Sequence, residues 1–248
     1  MSEKLENKVA LVTGSARRVG AAIVKRLHDD GARVAVHYRS SDEEANQLVA
    51  DLNVLRPGSA ASFRADLLDT TAIPRLVSDV TGWAGQLDIL VNNASTFYPT
   101  PIGTVTDEHW DDLVGSNLRA PLFLSQAAAP ALREAKGVII NMIDIHAQRP
   151  LRDHPVYGPA KAGLAMLTRS LAKDLAPEVR VNGVSPGAIL WPEEGMDEDT
   201  KDTILRQVPL GRPGSPKDIA ACVAYLVADA PYVTGQIIAV DGGRSIGW

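Results

Sequence analysis

The chain has 248 residues, 45% apolar and 22% charged, proportions that belong to a folded globular protein and exclude a disordered one. Twenty-five basic against thirty acidic residues leave a formal charge of −5, which argues against a general nucleic-acid binder and against a binder of anionic membranes. The single cysteine, Cys222, has no internal partner for a disulfide, as fits a reducing compartment.

The first residues, Met1 to Glu6, lack the apolar core of a signal peptide. The longest uncharged run, from Ile89 to Thr106, contains Asn92, Asn93, Pro99 and Pro101 and does not read as a membrane span. A soluble, cytoplasmic protein is expected.

Short β-branched runs alternate with longer amphipathic stretches, with no repeat or linker between them, so the expectation is one domain over residues 1–248. The predicted strands are Val9–Val12, Arg33–His37, Ala60–Arg64, Ile89–Val91, Val138–Met142, Val179–Val184 and Ile237–Val240. After the first strand, Ala21, Ile23, Val24 and Leu27 fill one helical face, and Gly31 follows as a C-cap glycine. Ser41 with Glu44 three residues on predicts a capping box for the second helix. Pro216 opens a late helix whose stretch Ile219–Ala228 carries no charge, which places it in the core or at a subunit interface with Cys222 as packing rather than as a reactive thiol. Seven parallel strands joined by right-handed helical crossovers make a doubly wound, Rossmann-type α/β sheet, whose ligands bind beyond the carboxyl ends of the strands.

The segments following those strand ends hold the candidate site residues. After the first strand come Thr13, Gly14, Ser15, Ala16, Arg17, Arg18, Val19 and Gly20, leading into a helix: Gly14 permits a tight turn, Gly20 a close helix–strand approach, and the helix N-terminus holds a pyrophosphate. The spacing differs from the common dinucleotide fingerprint, and a plain turn with two solvated arginines is the alternative. At the end of the second strand, His37, Tyr38, Arg39 and Ser40 offer no carboxylate for a ribose 2′-hydroxyl. Arg18, Arg39, Ser40 and His37 suit a 2′-phosphate instead, which predicts NADPH as cofactor. Asp66, followed by Leu67, stands where a carboxylate accepts from an adenine amino group. Asn93, Ala94 and Ser95 allow close backbone approach, and Pro186 and Gly187 leave room for a nicotinamide.

Tyr157 and Lys161 lie four residues apart, on one helical face, with Pro159 confining them to the first turn. An ammonium beside a phenol lowers its pKa and makes a proton donor for a reduction. With Thr13-Gly14 through Gly20, Asn92-Asn93-Ala94, Asn117, Tyr157 with Lys161, and Pro186-Gly187 in this order, the chain resembles the short-chain dehydrogenase/reductase family from Val9 to Asp241-Gly242-Gly243. The resemblance implies that Tyr157 is the catalytic acid, that Lys161 tunes it and holds the nicotinamide ribose, that Asn117 holds a proton-relay water, and that the protein is a homotetramer.

Three departures from the family pattern narrow the expectation. Arg18 replaces the middle glycine of the cofactor loop, Asp144 stands thirteen residues before Tyr157 where a serine is usual, and the Asn-Asn-Ala motif runs on into Ser95-Thr96-Phe97. These features, with His37-Tyr38, resemble the pteridine reductases. That likeness implies that a pterin lies between the nicotinamide and Phe97, that Ser95 touches cofactor and pterin, and that Arg18 contacts both. An acid paired with Tyr157 suits protonation of a C=N nitrogen, so Asp144 joins Tyr157, Lys161 and Asn117 as a catalytic candidate. Leu190 and Trp191 are expected in the substrate wall, and Glu193 to Asp199 as either a substrate lid or a solvated helix start. His146 and His154 fall near the site, but no spacing suggests a metal. The substrate is thus expected to be a pterin or folate. A short-chain carbonyl reductase acting on 3-oxoacyl thioesters is the nearest alternative, and a non-catalytic NADPH-binding regulator a further one.

Overall fold

The computed structural model describes residues 4–190 and 197–246. Its elements follow in the order β1 (Val9–Val12), α1 (Arg18–Asp29), β2 (Arg33–Tyr38), α2 (Asp42–Leu55), β3 (Ala60–Arg64), α3 (Ile73–Ala84), β4 (Ile89–Asn92), α4 (Asp107–Val114), α5 (Ala120–Ala135), β5 (Val138–Met142), α6 (Tyr157–Asp174), β6 (Arg180–Pro186), α7 (Glu198–Arg206), α8 (Pro216–Ala224) and β7 (Ile237–Val240). All seven strands pair in parallel, in the order β3-β2-β1-β4-β5-β6-β7. The strand order reverses between β1 and β4, which opens the crevice where a doubly wound sheet receives its ligand.

Burial on both faces explains the continuous apolar strands. β1, Val-Ala-Leu-Val, has every residue buried. Ala10 and Val12 point into one core layer with Ile23, Val24 and Leu27 of α1 and Ile219 and Val223 of α8. Val9 and Leu11 point into the other with Leu76 of α3 and Leu124 and Leu132 of α5. β2 and β4 run one residue further than their apolar patterns predict, and β6 is shifted to Arg180–Pro186.

Gly31 ends α1 as expected: its φ is +109°, its amide donates to the His28 carbonyl at 3.0 Å, and a Cβ there would lie 2.9 Å from the Glu6 nitrogen. The capping box predicted at α2 is not formed. Ser41 occupies the N-cap position without a side-chain capping bond, and Glu44 pairs instead with Arg17 at 3.4 Å. α8 packs against α1, with Ile219, Ala220 and Val223 buried; Cys222 is half-buried against the same core, where burial pushes its thiol pKa up. The core role of Cys222 is therefore the one observed. Among the described residues no helix is long and apolar enough to cross a membrane.

Candidate active site

A groove of about 390 Å³ lies across the carboxyl ends of β1 to β4. It is lined by predicted residues Gly14, Arg18, Val19, Gly20, His37, Tyr38, Arg39, Ser40, Asp66, Leu67, Asn93, Ala94 and Ser95. Its walls require the two glycines of the first turn. Gly14 has φ +58° and a Cβ on it would lie 2.9 Å from the Ala94 Cα; on Gly20 a Cβ would lie 2.6 Å from the Gly14 carbonyl oxygen. Asn93 fixes the same turn, its Nδ2 donating to the Thr13 and Gly14 carbonyls at 2.9 and 3.0 Å. Thr13, whose role its place in the motif does not reveal, staples β1 to β4: its hydroxyl oxygen accepts from the Asn93 and Ala94 amides at 3.0 Å each.

His37 corrects its sequence-based role. It is buried, its Nδ1 accepts from the Gly14 amide at 3.1 Å, and its Nε2–H donates to the Ala65 carbonyl at 3.2 Å. Burial lowers its pKa to about 4, against opposing effects of Ala65 and Asp66. A neutral ring with both nitrogens engaged shapes the turn; it does not offer a cation to a phosphate. The basic groups at the groove are Arg17, Arg18 and Arg39, beside Ser40 and Ser41. Arg18 adopts φ +52°, a left-handed conformation that explains why a glycine is usual there and that an arginine keeps only against strain. Asp42 faces the Tyr38 phenol and is absent from the groove wall, so the end of β2 presents no carboxylate to a ribose. Asp66 is exposed in the groove, one oxygen accepting from the Leu68 amide at 3.0 Å. These features fit NADPH: glycines where the backbone must approach, the N-terminus of α1, and guanidinium groups where a 2′-phosphate would lie.

Pro186 is the last residue of β6 and Gly187 follows it, but the absent side chain of Gly187 serves packing. A Cβ there would stand 2.6 Å from the Asp241 Cβ, so the space is taken by Asp241 rather than left for a nicotinamide.

The reacting groups meet beyond β5. Asp144 caps a 3-10 turn over Ile145–Ala147, with Oδ1 accepting from the His146 amide at 2.8 Å and Oδ2 from the Tyr157 hydroxyl at 2.8 Å. Lys161, fully buried one turn along α6, donates to the Met142 carbonyl at 2.9 Å, with its Nζ 5.7 Å from the Tyr157 ring centroid. Burial lowers the Lys161 pKa to about 8, opposed by Asp144. The Tyr157 pKa is raised well above the ordinary phenol value, first by burial and then by the charge and hydrogen bond of Asp144; the Ser95 hydroxyl acts in the opposite sense. This corrects the expected lowering by Lys161. In this arrangement the phenol is held protonated, the state a proton donor starts from.

Asn117 sits in a π-helical turn, Gly115–Arg119, that sequence periodicity did not reveal. Its Nδ2 donates to the Thr96 and Leu113 carbonyls at 2.9 Å each, and its Oδ1 accepts from Ser95 at 2.6 Å. One amide proton is thus committed to Thr96 on the loop after β4 and the other to Leu113 of α4, which leaves none for a relay water. Phe97, on that loop, stacks on His154 with centroids 4.7 Å apart and meets Tyr157 edge-on at 4.8 Å. Leu190 is exposed and outside the groove wall. Trp191 lies outside the described residues, as does most of the acidic stretch; Asp197, Glu198 and Asp199 form the capped, solvated start of α7.

The sheet, the glycine turn and the Asp144–Tyr157–Lys161 cluster define a dinucleotide-dependent reductase, and comparison with known proteins agrees. A family model described as enoyl-(acyl carrier protein) reductase matches residues 14–245, and the chain belongs to the short-chain dehydrogenase/reductase family. It is similar to pteridine reductase 1 of Leishmania tarentolae, 38% identical over 96% of both chains. It is also similar to the 3-oxoacyl-(acyl-carrier-protein) reductase FabG of Staphylococcus aureus, 35% identical over 95% of this chain and 97% of that one. Among solved structures, a blue fluorescent protein from a metagenomic library in complex with NADPH superposes with a TM-score of 0.91 at 35% identity, covering 97% of this chain and 99% of that one. The protein is an NADPH-dependent oxidoreductase.

Proposed function

We propose that the protein is a pteridine reductase, reducing a C=N bond of a pterin or folate. The observation that carries this reading is the 2.8 Å hydrogen bond between Asp144 and Tyr157, at a position where a serine is usual in the family. A serine hydroxyl donates to a ketone oxygen; a carboxylate accepts, and so matches the amino and ring N–H groups that a pterin presents. The exposed ring of Phe97 beside Tyr157 and the likeness to pteridine reductase 1 support the same substrate class.

The glycine turn with Arg18 and Arg39 would hold NADPH, which when bound would supply the hydride. The Tyr157 O–H turns from Asp144 to the ring nitrogen and gives up its proton as the neighbouring carbon is reduced, and the phenolate left behind is stabilised by Lys161 one helical turn away. Asp144 orients the phenol and the substrate's N–H groups. Ser95, bonded to Asn117, and Phe97 border the substrate, while His37 and Thr13 set the cofactor turn. The reading includes a cytoplasmic homotetramer; exposed Leu122 and Phe123 on α5 and Met166 on α6 are apolar surface for such contacts.

The similarity to FabG at comparable identity favours a second reading, reduction of a 3-oxoacyl thioester. Parallel assay of NADPH oxidation with dihydrobiopterin, dihydrofolate and a 3-oxoacyl ester separates the two: pterin or folate turnover supports the first, ketone turnover alone the second.

A further inference from the structure

Among the described residues, two aromatic rings meet Phe97, those of His154 and Tyr157. The centroid separations Phe97–His154, 4.7 Å, Phe97–Tyr157, 4.8 Å, and His154–Tyr157, 6.5 Å, describe a triangle with nearly a right angle at Phe97. With the His154 ring only 15° from parallel, His154 covers one face of Phe97 and Tyr157 stands at its edge, so neither ring covers the opposite face. Phe97 is 52% exposed.

The loop that carries His154 is built to hold that geometry. Its Nδ1 lies 2.7 Å from the Arg152 carbonyl, which makes Nδ1 the protonated nitrogen and fixes the plane of the ring. Nε2 is left buried without a hydrogen-bond partner, at a cost in stability. The preceding residue, Asp153, has φ +62°, and its carbonyl accepts from the Thr100 amide at 2.6 Å, tying this loop to the one that carries Phe97.

We propose that His154 is a positioning residue that sets substrate specificity: by backing Phe97 it turns the ring's other face into a fixed platform for a planar heteroaromatic substrate, with the Tyr157 hydroxyl alongside. This rests on the pterin reading above. The stack, not a hydrogen bond to substrate, is its contribution, so an aromatic replacement should serve and an aliphatic one of similar bulk should not.

The experiment is steady-state kinetics of the wild type, His154→Leu and His154→Phe with dihydrobiopterin, with NADPH affinity read in parallel from the fluorescence of the bound cofactor. The expected result is a threefold to tenfold rise in the pterin KM, on the order of one aromatic pair, for His154→Leu. kcat should stay within about twofold, NADPH affinity should hold, and His154→Phe should restore KM. A wild-type KM in His154→Leu overturns the inference while leaving pterin reduction in place. So does failure of His154→Phe to restore it, or loss of NADPH affinity alongside. A wild type that oxidises no NADPH with a pterin overturns the substrate reading itself, and this inference with it.

Discussion

Asp144 accepts a hydrogen bond from the Tyr157 hydroxyl at 2.8 Å while its second oxygen is anchored by the His146 amide, so the carboxylate is held facing the phenol. Replacement of Asp144 by serine restores the usual family donor and removes the acceptor for substrate N–H groups. The D144S variant should lose at least about tenfold in kcat/KM for a pterin, the loss of one charge-assisted hydrogen bond, and gain relative activity on a 3-oxoacyl ester. Assays of both substrates on one preparation measure the switch.

Tyr157 is held protonated by burial and by Asp144, while the neighbouring Ser95 hydroxyl has its own proton engaged by Asn117 at 2.6 Å. Y157F should lower kcat by about 10²- to 10⁴-fold, the range for a lost general acid, while NADPH still binds with near wild-type affinity. Cofactor fluorescence titration checks the binding; stopped-flow reduction checks the rate.

His37 links the cofactor turn to pH. Its folded pKa, about 4, lies below the unfolded value near 6.5, so the unfolded chain binds the extra proton between those limits. Stability from this group is full above about pH 6.5 and lost as pH falls toward 4, by roughly 3 kcal/mol in all. Protonation of Nδ1 also displaces the Gly14 amide, so NADPH affinity should fall over the same acid range. Urea unfolding of wild type and H37Q between pH 4 and 8 tests this; the variant should lose most of the slope.

Arg18 and Arg39 predict the cofactor preference. R39A should raise the KM for NADPH about tenfold to a hundredfold and leave that for NADH little changed. R18G should do the same, and relief of the left-handed arginine, on the order of 1–2 kcal/mol, limits its loss of stability.

Much of this was legible in the chain. Strands buried on both faces announce themselves as unbroken apolar runs, which is why all seven were predicted, and Gly14, Gly20, Tyr157 and Lys161 stand at spacings that backbone geometry dictates. What stayed hidden depends on contacts between distant segments. His37 reads as a basic residue until Gly14 and Ala65 close on both its nitrogens. Gly187 reads as a ligand opening until Asp241 fills the space, and Glu44 as a capping partner until Arg17 draws it away. The π-helical turn at Asn117 and the His154 stack carry no periodic signal. The Tyr157–Lys161 spacing shows the ammonium that would lower the phenol pKa but not the burial that raises it.

The most direct measurement is the rate of NADPH oxidation with dihydrobiopterin, dihydrofolate and a 3-oxoacyl ester, with NADH run in parallel. Rapid turnover of a pterin or folate, dependent on NADPH, is the predicted result. Turnover of the ketone alone would contradict the pterin assignment and would leave Asp144 beside Tyr157 as a feature of a carbonyl reductase.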